Sequence, residues 1–147
     1  MQGIGFSVWR AAIVMCRFLE QQDSSCTSAP LCRGREVLEL GSGCGLLGIL
    51  CAHLGARATL TDMASVLPIT RRNIDLNRLP PDAVGELRAL EVHWGTDIRQ
   101  SLSRGSRDLI VGSDLTYFEH LHRPLLLTLL QLADEDTQIL LAHAQRR

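Results

Sequence analysis

Gly41-Ser42-Gly43-Cys44-Gly45 sits between two apolar runs, Glu36 to Leu40 and Leu46 to Leu54. Alternating glycines let a backbone turn tightly and approach a ligand closely. Between a buried strand and a helix, they make a strand–turn–helix unit. The helix start then presents unpaired N–H groups and a positive dipole end. Further strands are predicted over Arg57 to Thr61, Glu86 to Val92, Asp108 to Ser113 and Thr137 to Ala142. Helices are predicted from Trp9 to about Gln22, from Ala64 to Asn77 and from Glu119 to Leu132. The first carries Ala12, Met15, Cys16 and Leu19 on one stripe. Asp23 to Gly34 reads as the one long loop, and Asp97 to Arg107 as a polar connection. Strands alternating with helices imply right-handed crossovers, a mostly parallel sheet and helices on both of its faces.

The 147 residues suit one domain with a substantial core. Fifteen basic against sixteen acidic residues give a net charge of −1, which argues against a nucleic-acid partner. No apolar run reaches the ~20 residues of a membrane span, and the start lacks the pattern of a signal peptide. The chain contains no Lys, which excludes Schiff-base chemistry and a P-loop. Its five cysteines, Cys16, Cys26, Cys32, Cys44 and Cys51, form no C-x-x-C pair. They read as reduced, mostly buried thiols of a cytoplasmic or nuclear protein. The histidines His53, His93, His120, His122 and His143 show no metal-ligand spacing, so they are expected to be structural or surface residues, with no metal.

Ligands of such sheets bind beyond the carboxyl ends of the strands, where the glycine turn lies. Two ligands compete for it. Gly43-x-Gly45-x-x-Gly48 satisfies the dinucleotide fingerprint, with Asp62 placed to hold a ribose. The fuller string Glu39-x-Gly41-x-Gly43-x-Gly45 resembles motif I of the seven-β-strand methyltransferases that use S-adenosylmethionine. An acid ending the second strand also grips the ribose in that family, so Asp62 serves either reading. Glu39 and Gly41 tip the balance toward methyl transfer.

Three further segments narrow the resemblance. They are Gly5-x-x-x-Trp9-x-x-Ala12 with the helix after it, Trp94-Gly95 after the third strand, and Gly112-Ser113-Asp114-Leu115-Thr116-Tyr117 closing the fourth. Together they resemble the branch that methylates lysines of non-histone proteins. The likeness is to the enzymes acting on valosin-containing protein, an AAA-type ATPase, and to their elongation-factor- and chaperone-methylating relatives. It implies a Rossmann-like, doubly wound parallel sheet of strand order 3-2-1-4-5, lacking the last two strands of the seven-strand fold. The fifth strand would then be an exposed edge. Residues 1–147 would form one S-adenosylmethionine-binding domain, with 1–34 as N-terminal helix and loop and 35–147 as core.

The resemblance also implies roles. Gly41, Gly43 and Gly45 would cradle the methionine part of the cofactor, and Glu39 would orient its amine through the loop. Asp62 would bind the ribose, Trp94 would cover the adenine, and Ser113 would touch the cofactor through its backbone. Trp9 would close the cofactor site from the N-terminal side, while Asp114 and Tyr117 would lie beside the sulfonium and the incoming lysine. Arg10 departs from the family, whose members tend to carry an acid there. Three functional readings follow: an active protein-lysine methyltransferase, a catalytically weak cofactor-binding paralogue that binds a partner, and a nicotinamide-dependent oxidoreductase.

Overall fold

The computed structural model describes residues 4–25, 30–98, 102 and 107–145. Cys26, the middle of the expected long loop and most of the polar connection after Asp97 lie outside the described residues. The strands are β1 (Glu36–Leu40), β2 (Arg57–Asp62), β3 (Glu86–Glu91), β4 (Leu109–Ser113) and β5 (Gln138–Ala142). The helices are α1 (Arg10–Ser25), α2 (Leu46–His53), α3 (Leu67–Leu76) and α4 (His122–Leu132), with 3-10 turns at Ile4–Phe6 and Glu119–Leu121.

Helix boundaries differ from the periodicity in ways that the chain explains. α3 begins at Leu67 rather than Ala64 because Val66 and Leu67 first close a turn onto the Met63 carbonyl. Pro68 then occupies the first helical turn, where its missing N–H costs no hydrogen bond. At α4, Pro124 cannot donate to the carbonyl four residues back and crowds it. Residues 119–121 therefore form a 3-10 turn and the α-helix starts at His122. α1 runs on to Ser25, whose hydroxyl donates to the Gln21 carbonyl.

The five strands pair in parallel in the order β3-β2-β1-β4-β5. Successive side chains of a strand point to opposite faces, and both faces of the central strands are covered. Val37, Ala58, Leu60, Leu109 and Val111 pack with α1 and α2 on one face. On the other face Leu38, Leu40 and Ile110 meet α4 together with Val92 and Leu115. Among the described residues β5 pairs with β4, and Ile139 and Leu141 are exposed.

The order reverses between β1 and β4, and the segments after these two strands diverge there. Parallel doubly wound sheets open their ligand crevice at such a point.

Candidate active site

A cleft of about 700 Å³ opens at the carboxyl ends of the strands, within the usual range for a small-molecule site. Gly41 enters it from β1, Asp62 and Met63 from β2, and His93 and Trp94 from the end of β3. Ser113, Asp114 and Tyr117 enter from β4, and Gly5, Phe6 and Trp9 come from the N-terminal segment. The topology thus brings together Trp9, Gly41, Asp62, Trp94, Ser113, Asp114 and Tyr117 of the residues singled out in the sequence. Glu39, Gly43 and Gly45 do not line the cleft.

The glycine turn explains that division. Gly41, Gly43 and Gly45 all have positive φ, at 60°, 51° and 80°. A Cβ on Gly41 would stand 2.7 Å from Leu115 and 3.1 Å from Trp94. A bare backbone there lets both side chains close under the cleft. A Cβ on Gly43 would stand 3.0 Å from the Gly5 carbonyl oxygen, because the N-terminal turn crosses the loop at that point. Gly45 is buried and caps α2 in the left-handed region.

α3 fixes the loop from the other side. The buried Thr70 hydroxyl donates to the Gly43 carbonyl at 2.7 Å, and the Asn73 amide donates to the Cys44 carbonyl at 2.8 Å. Sequence reasoning missed both residues. Their one trace in the sequence is spacing, since side chains three positions apart share a face of a helix; the full burial of Thr70 is seen only in the fold.

Glu39 lies beneath the loop rather than in the cleft. It is 2% exposed, and its Oε2 accepts the Gly48 N–H at 2.9 Å. A Cβ on Gly48 would meet that oxygen at 2.7 Å and Leu60 at 2.4 Å, so Gly48 serves close helix–strand packing. Burial pushes the Glu39 carboxyl up to about 8; the Gly48 N–H pulls it back and the Asp62 charge raises it further.

A folded-state value above the ordinary 4.5 means that the native chain holds this proton more tightly than the unfolded one. The resulting stabilisation is fully present below pH about 4.5 and is lost as pH rises through about 8. Glu39→Gln keeps an acceptor for Gly48 and cannot ionise. Between pH 5 and 8 the wild type should lose stability relative to this variant, on the order of a few kcal/mol. Urea midpoints of both chains across that range test it; parallel profiles would rule out a buried, protonated Glu39.

Asp62 ends β2 with both carboxylate oxygens on backbone N–H groups, Oδ2 on Gly43 and Oδ1 on Met63, each at 2.8 Å. Burial raises its pKa, opposed by these two N–H donors. One carboxylate therefore ties the glycine turn to the end of the neighbouring strand and faces the cleft from there.

Across the switch point, Asp114 follows β4 with φ 55°, the one positive φ at a non-glycine residue among the described residues. Asp and Asn tolerate this region better than other side-chain-bearing residues. Its N–H donates to the Ala142 carbonyl at 2.8 Å, and its Oδ1 accepts the Ala144 N–H at 3.1 Å. His143 Nδ1 lies 3.6 Å from the same oxygen and 3.0 Å from the Thr116 hydroxyl. The end of β5 thus holds this buried carboxylate in the cleft wall.

His93 and His120, expected to be structural or surface residues, line the cleft. Cys16, Cys32 and Cys51 are buried free thiols, and burial pushes Cys16 up to about 12.

A 3-2-1-4-5 parallel sheet with a glycine turn after β1, an acid ending β2 and a cleft at the switch point defines a Rossmann-like nucleotide-binding class of fold. Solved structures agree. A SAM-dependent methyltransferase from Agrobacterium tumefaciens superposes with TM-score 0.67 at 21% identity, covering 100% of this chain and 48% of that one. The glycopeptide N-methyltransferase MtfA complexed with S-adenosyl-L-homocysteine gives 0.60 at 21% identity, covering 86% and 47%.

The chain belongs to the lysine methyltransferase family, which it matches over residues 1–147. It is 39% identical over 140 residues to the mouse protein N-lysine methyltransferase METTL21A, covering 95% of this chain and 61% of that protein. With the mouse EEF1A lysine methyltransferase 3 it shares 35% over 144 residues, covering 98% and 57%. The chain therefore spans about three fifths of the length of these relatives. Family membership decides between the two glycine fingerprints in favour of the Glu39-containing string.

Proposed function

We propose that the cleft binds S-adenosylmethionine and that the chain serves transfer of its methyl group to a lysine side chain of a non-histone protein. An AAA-type ATPase, a chaperone or an elongation factor fits that substrate class. The observation that carries the reading is the placement of Asp62 and Asp114 in one apolar-walled cleft, with the glycine turn between them. When bound, the cofactor supplies an electrophilic methyl group on a sulfonium. The residues present suit such a molecule: Asp62 offers an acceptor to a ribose diol, Trp94 an apolar face to a base, and Ser113 its backbone. Trp9 and Phe6 close the cleft from the N-terminal side.

The acceptor amine must be neutral and stand about 3 Å from the methyl carbon, in line with the leaving sulfur. Free lysine titrates near ~10.4, and a carboxylate favours its charged form. Asp114 accordingly binds and aligns the amine rather than acting as a strong base, with Tyr117 beside it.

Calorimetry with S-adenosylmethionine and with NAD tests the cofactor assignment. The chain should bind the first and not the second. Asp62→Ala should weaken cofactor binding roughly 10- to 100-fold, the worth of charge-assisted hydrogen bonds to one carboxylate. Unchanged affinity in the variant would remove Asp62 from the site.

A further inference from the structure

Of the two histidines that line the cleft, His93 is held in a way that the roles above leave unused. It follows β3 directly before Trp94 and is half-exposed in the cleft wall. Its Nε2 lies 2.9 Å from Oε1 of Glu91, which is not itself among the lining residues. A carboxylate oxygen accepts, so the imidazole nitrogen that meets it donates and Nε2 carries the ring proton. The neutral ring then keeps a lone pair on Nδ1, and no described residue donates to it. A tautomer fixed by Glu91 thus gives this wall of the cleft a hydrogen-bond acceptor rather than a donor.

The order of the strands decides which part of a ligand reaches it. β3 is the outer neighbour of β2, and Asp62 stands level with Glu91 in their register. The Val92 N–H donates to the Asp62 carbonyl at 3.0 Å, so His93 lies just beyond the acid. A nucleoside with its ribose on Asp62 and its sulfonium toward the switch point carries its base outward, over the end of β3. There Val92, His93 and Trp94 form the wall. The edge of adenine presents an exocyclic amine, a donor, whereas a 6-oxo purine presents an acceptor at that place. Two facing acceptors repel and leave Nδ1 unpaired. We propose that His93, with its tautomer set by Glu91, reads the exocyclic amine of the cofactor's adenine and selects against 6-oxo purine nucleosides. Glu91 acts through His93 as a positioning residue. The proposal rests on the S-adenosylmethionine reading of the cleft and adds the residue that specifies the base.

The test uses the whole 147-residue chain in mildly alkaline buffer. Calorimetry compares S-adenosylhomocysteine with S-inosylhomocysteine, in which a carbonyl oxygen replaces the exocyclic amine and N1 carries a proton. Wild type should bind the first about 10-fold tighter, the effect of one hydrogen bond lost with an acceptor left unpaired. His93→Leu should bring the two ligands within about threefold of each other, chiefly by weakening the first. Glu91→Lys keeps His93 but puts a donor where the acceptor stood. Nε2 then accepts, the ring proton moves to Nδ1, and the preference should fall to parity or reverse. Two-bond nitrogen–proton NMR, with His93 assigned by its loss in His93→Leu, should show the proton on Nε2 in wild type and on Nδ1 in Glu91→Lys. S-adenosylhomocysteine should displace the wild-type Nδ1 resonance. Thermal unfolding of both variants should match wild type; if His93→Leu fails to fold, Glu91→Lys and the wild-type spectrum decide. Equal binding of the two ligands by wild type, or a ratio unchanged in His93→Leu, overturns the proposal and leaves the cofactor reading standing. So does a ratio unchanged in Glu91→Lys with the proton on Nδ1. A proton that stays on Nε2 in Glu91→Lys overturns the positioning role of Glu91. Tighter binding of S-inosylhomocysteine by wild type overturns the base assignment, since Nδ1 would then take the N1 proton. Failure of wild type to bind S-adenosylhomocysteine overturns the cofactor reading and the proposal with it.

Discussion

Asp114→Asn should lower methyl transfer on the order of a hundredfold, the effect of misaligning a reacting group, while cofactor affinity stays within a few-fold. Asn is the informative replacement because it tolerates the left-handed backbone at φ 55°. It also keeps an oxygen for the Ala144 N–H. Asp114→Ala would remove both, adding a strained backbone and an orphaned donor to the loss of charge. That variant should lose about 1–3 kcal/mol of stability as well as activity. The assay follows radiolabelled methyl transfer to an AAA-type ATPase, to EEF1A and to cell lysate. Because the chain covers 61% of the mouse METTL21A sequence, a version joined to the segments of that relative outside the match is assayed beside it. Equal methylation by wild type and Asp114→Asn would sink the alignment role. Tight cofactor binding without methylation by any version would favour a cofactor-binding interaction module.

Gly43→Val should abolish measurable cofactor binding. Two effects add. A β-branched residue at φ 51° is strained by its own Cβ. That Cβ would also press on the Gly5 carbonyl oxygen at 3.0 Å and push the N-terminal turn off the loop. Gly5 and Phe6 line the cleft, so displacing them opens the site as well as distorting the loop that Asp62 grips. Gly43→Ala shares the backbone strain with less bulk and should fall between the two. Normal calorimetric affinity in Gly43→Val would mean that the loop does not depend on this crossing.

The strand and helix order was readable from the chain because parallel central strands are apolar on both faces and end at glycines. Leu38, Leu40, Ile110 and Val111 illustrate this, each fully buried. Alternating glycines after β1 and acids at the ends of β2 and β4 could be placed in a shared crevice from the same pattern. Local periodicity encodes burial, and in this architecture burial nearly sets the topology.

Contacts between remote segments were not encoded that way. Nothing near Glu39 in the chain shows that its carboxylate turns under α2 to Gly48, a brace for the turn rather than a wall of the cleft. The grip of Thr70 and Asn73 on the loop depends on the rotation of α3 over the sheet. The crossing of Gly5 over Gly43 depends on where α1 docks. Asp114 was visible as a strand-end acid, but its left-handed backbone and its hold by Ala142 and Ala144 exist only because β5 lies beside β4. The sequence by itself determined which segments are strands and helices and which residues stand at strand ends, because each depends on spacing and residue type along the chain. Tertiary structure alone decided what those residues touch, because hydrogen bonds between segments tens of residues apart form only after the crossovers have packed.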